Sequence, residues 1–206
     1  MITFEDIQAQ KHIGSSELKM LCAWLYGYMP EFSSVIEIGV ATGGSTMTWH
    51  KALMVDGVYI GIDINLNNPA EVLYAEVLKT VEKYKEDKRM NFIIGDSRDL
   101  GVVKKVGEIL NGRLVDFLYI DGEHSEQGTI KDFDYYEPFV RVGGIIAWHD
   151  ASANSNVRKA IDKTANVFNN ILVGKQSWQF VGPKAQFVCR FDQKRGHCGI
   201  VAIVKE

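Results

Sequence analysis

The run SVIEIGVATGGS, residues 34–45, decides the architecture. Its apolar, β-branched first half reads as a buried strand, and the glycines behind it let the backbone turn tightly into a helix. The free N–H groups at the start of such a helix form a site for carboxylate or phosphate. The spacing G-x-x-x-G-G over residues 39–44 differs from the G-x-G-x-x-G that seats a dinucleotide pyrophosphate. Glu37, two residues before Gly39, would repel a diphosphate and suits a cationic ligand.

Working outward, the same strand-turn-helix unit recurs at VYIGIDI (58–64), NFIIGD (91–96), VDFLYIDG (115–122) and GGIIAWHD (143–150). Each strand is apolar on both faces, as expected where helices cover both sides of a parallel sheet. The spacing predicts helices over 44–54, 69–85, 98–110, 125–140 and 154–168, with Ser125 as an N-cap and Gly143-Gly144 as the turn back into the sheet. SSELKMLCAWLYGYM (15–29) reads as a leading helix, and NILVGK (170–175) and CGIVAIVKE (198–206) as the last strands. With short connections and no internal repeat, the expectation is one α/β domain, doubly wound around a mostly parallel sheet. It divides into a leading helical segment (1–33), a ligand-binding core (34–150) and a C-terminal part (151–206) whose stretch near 175–197 forms an aromatic, basic flap.

Bulk properties narrow the function. With 206 residues the chain can bury a sizeable core without staples. Lys+Arg 23 against Asp+Glu 26 leaves a net charge of −3, which removes any global attraction for nucleic acid. The N-terminal sequence has no basic segment followed by an apolar one, and no stretch nears 18 apolar residues, so a cytoplasmic protein without a membrane partner is expected. Cys22, Cys189 and Cys198 are odd in number and form no CxxC pair, which argues for reduced thiols rather than disulfides or zinc.

The chemistry gathers at the strand ends. Asp63 closes the second strand about 20 residues after the glycine loop, where a carboxylate can accept the two hydroxyls of a ribose. Asp96 and Ser97 close the third, placed to read an adenine edge. Asp121 and Asp150 end the fourth and fifth strands, and two such neighbouring carboxylates in one crevice suit a hard divalent cation. These edges together describe a nucleoside with a charged tail.

These residues carry a family resemblance. Glu37-x-Gly39-x-x-x-Gly43-x-Ser45, Asp63 and Gly95-Asp96-Ser97, followed by Tyr119-Ile-Asp121-Gly-x-His124 and Trp148-His149-Asp150, resemble class I S-adenosylmethionine-dependent methyltransferases. Within them the chain is most similar to the metal-dependent O-methyltransferases, the group of catechol-type enzymes and their macrolide-sugar and cephalosporin-tailoring relatives. The resemblance implies a Rossmann-like seven-stranded sheet with an antiparallel last strand. It also implies S-adenosyl-L-methionine as cofactor, with Glu37, Gly39, Thr42, Gly43 and Ser45 around the methionyl tail, Asp63 on the ribose, Asp96 and Ser97 on the adenine, and Asp121 beside the cofactor. It further implies magnesium (Mg2+) held by Asp121 and Asp150. His124 stands where catechol-type enzymes carry the lysine that deprotonates the acceptor, and would serve as that base. His149 is a second catalytic or ligand candidate, although strand alternation directs it away from Asp150. Ala151 departs from the family pattern, which has Asn or Asp as a third ligand there.

The implied function is methyl transfer to a hydroxyl of a small molecule, in a homo-oligomer of dimer type. The alternatives are a metal-independent methyltransferase acting on oxygen or nitrogen, and a cofactor-binding relative without catalysis. A nicotinamide dehydrogenase has the glycine spacing and Glu37 against it. Trp24, Tyr26, Tyr28, Trp178, Phe180 and Phe187 are candidates for an acceptor pocket, and Lys175, Lys184, Lys194 and Arg195 for a preference for acidic acceptors, against core packing and a solvated basic face respectively.

Overall fold

The computed structural model describes residues 15–29, 31–64, 72–151, 155–165, 187–189 and 199–206. In chain order these form α1 (Ser15–Tyr28), β1 (Phe32–Ile38), α2 (Gly44–Ala52), β2 (Leu53–Asp63), α3 (Val72–Tyr84), β3 (Met90–Ile94), α4 (Leu100–Leu110), β4 (Val115–Ile120), α5 (Glu126–Tyr136), a 3-10 turn (Glu137–Phe139), β5 (Val140–Trp148), α6 (Asn156–Ala165), β6 (Phe187–Cys189) and β7 (Ile200–Val204).

One sheet runs in the order β3-β2-β1-β4-β5-β7-β6. The first five positions are parallel, and β7 pairs antiparallel with β5 through Ile145–Val204 and Trp148–Val201. Six strands have five or more residues; β6 is a three-residue strip on the outer edge of β7. The β6 strip falls within the stretch near 175–197 expected as a flap. Phe187–Cys189 pair with the edge of β7. The remainder of that flap, with Trp178, Phe180, Lys175, Lys184, Lys194, Arg195, and the strand expected at 170–175, lies outside the described residues, as does Cys198.

The period-two pattern of the strands produces two cores. Val35, Tyr59, Phe117, Tyr119, Ile145 and Ala147 pack under α1 and α2, against Leu18, Leu21, Leu25 and Trp49. Ile36, Ile38, Ile60, Ile62, Leu118, Ile120 and Ile146 pack on the other face, against Val106, Leu110, Tyr136, Val157 and Ile161. Cys22 is a free thiol buried in the first of these, its pKa pushed up to about 12 by burial, as an inert core residue. Trp24 stacks on Tyr28 at 5.7 Å and packs against the same core. Several boundaries differ from the sequence expectation: β5 begins at Val140, so Gly143-Gly144 lie inside it rather than forming the turn into the sheet, and β2 begins at Leu53. α2 stops at Ala52, because Leu53 takes extended angles and starts β2. α5 stops at Tyr136, because the 3-10 turn with its proline intervenes before β5. Among the described residues, no helix is long and apolar enough to cross a membrane.

Candidate active site

The carboxyl ends of β3, β2, β1, β4 and β5 form a single rim, knitted by backbone hydrogen bonds. Gly95 N–H donates to Asp63 O (3.1 Å), Gly39 N–H to Ile62 O (2.9 Å), Asp121 N–H to Ile38 O (2.8 Å) and His149 N–H to Ile120 O (3.0 Å). Each strand end is thereby fixed to its neighbour, and Asp63, Asp121 and Asp150 open on the same edge of the sheet. Gly39 makes this possible: its φ is 88°, and a Cβ there would come within 2.0 Å of the Asp121 carbonyl oxygen.

The loop after β1 is the glycine turn expected. Ala41 and Gly43 take left-handed angles, Gly43 N–H closes the turn on Val40 O, and Gly43 caps α2 without any side-chain hydrogen bond. Its first N–H groups therefore donate no hydrogen bond to an N-cap side chain. Thr42 contributes its carbonyl to Thr80 Oγ1 (3.1 Å). Asp63 is buried and its Oδ2 accepts the Ala41 N–H at 2.8 Å, which ties β2's carboxylate to the loop.

Glu37 and Ser45 do more than the sequence suggested. Glu37 is completely buried; Oε1 accepts from Ser45 Oγ and from Trp49 Nε1 (3.2 Å), and Oε2 accepts from Thr46 Oγ1 (2.7 Å) and the Tyr59 hydroxyl. Burial pushes its pKa up to about 7, against the pull of those four donors. The two residues thus hold the first turn of α2 in place beneath the loop.

The adenine-side residues are also already engaged. Both Asp96 oxygens sit in the Arg98 guanidinium fork at 2.7 Å, which holds the carboxyl below its usual range, and Arg98 also pairs with Glu123. Ser97 donates to Asp132 Oδ1 at 2.6 Å. Asp132 is fully buried on α5, with its pKa pushed up to about 6 by burial. Sequence reasoning missed both Arg98 and Asp132: the Asp-x-Arg spacing was a visible signal for the first, and no local pattern announces the second.

The fourth and fifth strand ends meet at a cluster of acids and imidazoles. Asp121, His124 and Asp150 each present one ligand atom within 4.8 Å of the others. His124 Nε2 lies 3.0 Å from Asp150 Oδ2 and 3.5 Å from Asp121 Oδ1; His149 Nδ1 lies 3.4 Å and 3.3 Å from the same two oxygens. This corrects one expectation. His149 does not point away from Asp150: the strand ends at Trp148, Asp150 turns with φ 56°, and alternation no longer applies. Hydrogen bonds donated by His124 to Asp121 and Asp150 raise its pKa to about 10.

A glycine turn at an uncapped helix, a carboxylate on the next strand and a carboxylate-imidazole cluster on one parallel rim define a nucleotide-type cofactor enzyme of the doubly wound class. Comparison with known proteins narrows this. Residues 36–151, more than half of the chain, match the family model described as a methyltransferase domain. The chain belongs to this family of S-adenosylmethionine-dependent methyltransferases. Two Arabidopsis thaliana proteins are each 32% identical to it over 116 and 117 residues, 56% of this chain and 45% of theirs. One carries the name of a caffeoyl-CoA O-methyltransferase and the other is tapetum-specific methyltransferase 1. The chain spans under half the length of these relatives. The fold is shared with the O-methyltransferase from Bacillus cereus in complex with SAH (16% identity, TM-score 0.60, 98% of this chain and 90% of that one). It is also shared with the O-methyltransferase TomG from Streptomyces achromogenes in complex with SAM (14% identity, TM-score 0.63, 94% and 82%).

Proposed function

We propose that the protein transfers the methyl group of S-adenosylmethionine to a hydroxyl oxygen of a small molecule, assisted by a divalent ion at Asp121 and Asp150. The observation that carries this reading is the rim itself: the glycine turn, Asp63, Asp121 and Asp150 on one edge of the sheet, joined by backbone bonds. Names of relatives and of solved neighbours that act on oxygen support it.

The cofactor fits the donor set. The uncapped N–H groups of α2 suit the methionyl carboxylate, and Asp63, steadied by Ala41, suits the ribose hydroxyls. Glu37 acts on the cofactor indirectly, by fixing Ser45, Thr46 and Trp49 so that the first turn of α2 is preorganised. The cation also fits, because two carboxylates and an imidazole converge within ion-sharing distance. When bound, a divalent ion lowers the pKa of a coordinated hydroxyl.

The chain's own residues then position the two reactants. Asp121, the member of the cluster that borders the glycine turn, orients the acceptor oxygen toward the sulfonium, and the acids of the rim favour a cationic donor over its neutral product. The sulfonium brings its own leaving group, so no residue need protonate one. The test is incubation with methyl-labelled cofactor and a panel of phenols, catechols and glycosides, with and without EDTA, beside calorimetric titration of the cofactor. Label in an ether product and its loss with EDTA are expected, and Asp63→Ala should raise the cofactor Kd by about tenfold or more. A chain that binds no S-adenosylmethionine overturns the reading; EDTA-insensitive transfer removes its metal.

A further inference from the structure

Ala151 supplies no donor at the position next to Asp150: its side chain is a methyl, and its N–H is committed to Gly199 O at 3.1 Å. The third donor of the cluster comes instead from the loop after β4. His124 follows Asp121 by three residues and precedes the Ser125 cap of α5, whose side chain accepts from Gly128 N–H, so the start of α5 fixes where the ring stands. We propose that His124 is a metal ligand, and that Asp121, His124 and Asp150 form a site for a transition ion of the Mn2+, Fe2+, Co2+ or Zn2+ class in preference to Mg2+ or Ca2+.

The distances carry this. Ligands about 2.1 Å from a shared ion stand about 3.0 Å apart at right angles and about 3.4 Å apart at the tetrahedral angle. His124 Nε2 stands 3.0 Å from Asp150 Oδ2 and 3.5 Å from Asp121 Oδ1. Two carboxylates and an imidazole are a mixed donor set: Mg2+ and Ca2+ favour oxygen alone, imidazole suits Fe2+ and Zn2+, and Mn2+, which takes carboxylates as Mg2+ does, also accepts imidazole nitrogen. His149, 8% exposed, faces the same two oxygens from the protein side. Outer partners of this kind orient ligating carboxylates.

The inference rests on the methyltransferase reading for the presence of an ion, and on the cluster for its kind. Its test is direct metal binding to the full chain stripped with a chelator, by calorimetry with Mn2+, Zn2+ and Mg2+ separately, and by pulsed EPR of the Mn2+ form for nitrogen coupling. One Mn2+ or Zn2+ per chain, bound at least tenfold more tightly than Mg2+, is expected. In His124→Ala the Mn2+ Kd should rise about tenfold or more and the nitrogen coupling should diminish. His124 is half exposed, so this variant keeps its fold, which circular dichroism checks. Equal or tighter Mg2+ binding, no binding at all, or unchanged Mn2+ affinity in His124→Ala overturns the proposal. Cofactor titration on the same sample separates the two readings: S-adenosylmethionine binding by a chain that takes up no Mn2+ or Zn2+ overturns this inference alone, and failure to bind it overturns the function while the metal data still decide the site.

Discussion

The two ends of the central strands solve the same problem in opposite ways. At the amino end, side chains join the strands: Asp116 of β4 accepts from Ser33 N–H (2.5 Å) and Ser33 Oγ (2.7 Å) of β1, and from Arg141 Nε (2.6 Å) of β5. At the carboxyl end the joints are backbone bonds, from Gly39 to Ile62, Asp121 to Ile38 and His149 to Ile120. A carboxylate that ties strands together is neutralised by its own protein. At the carboxyl end, oxygens of Asp121 and Asp150 stand within 3.5 Å of the imidazoles of His124 and His149. The comparison separates acids that build the sheet from acids that serve the site, although sequence gives both the same letter.

The sharpest way to break this arrangement is to unfasten the backbone joints. Gly39→Ala puts a Cβ 2.0 Å from the Asp121 carbonyl oxygen at a φ of 88°, so β1 and β4 must separate at the rim. Overpacking and left-handed strain together should cost about 4 kcal/mol, read from urea unfolding. Cofactor binding should be lost with it. Unchanged binding would mean that the joint does not govern the site.

Glu37 tests a third kind of acid, one buried with neutral donors and no cation. Its pKa in the folded protein is about 7 against an ordinary 4.5, so the folded state holds a proton that the unfolded chain releases. The resulting stabilisation is full below pH 4.5 and is lost as pH rises through about 7, about 3 kcal/mol over that window. Glu37→Gln cannot titrate, and its unfolding free energy should vary less with pH over the same interval. Urea titrations of both proteins at pH 4.5, 6 and 7.5 measure the difference in slope.

Much of this was legible beforehand because the physics is local. Strands apolar on both faces announced the buried parallel sheet, and acids at the end of such a strand or within two residues past it had to emerge on its carboxyl rim. The rest depended on contacts distant in sequence. The side of Asp150 on which His149 falls was set by one left-handed residue after Trp148, where the period-two rule stops. Arg98 closes on Asp96, and Asp132 arrives under Ser97 from a helix 35 positions later. Glu37 reads as a ligand-facing acid until Tyr59, from the neighbouring strand, is seen donating to it.

The smallest expected effect lies at the amino rim and has the opposite pH sign to that of Glu37. Burial raises the Asp116 pKa, but hydrogen bonds from Arg141 and Ser33 outweigh it and hold the carboxyl below its ordinary 3.8. Such a group stabilises the fold above that value and loses its contribution as pH falls through the folded pKa. Asp116→Asn keeps an acceptor oxygen yet gives up the ionic part of the Arg141 bond. Because Arg141 is 40% exposed, solvent screens much of that term, and the cost at pH 7 should be about 1 kcal/mol. Unfolding curves of wild type and variant should therefore converge as pH falls below the ordinary carboxyl value and the wild-type carboxyl protonates. Cofactor affinity should stay within about twofold, since the variant leaves the backbone joints of the opposite rim intact. A larger loss of affinity would show that the two rims are coupled, and that the side chains at one end help to hold the site at the other.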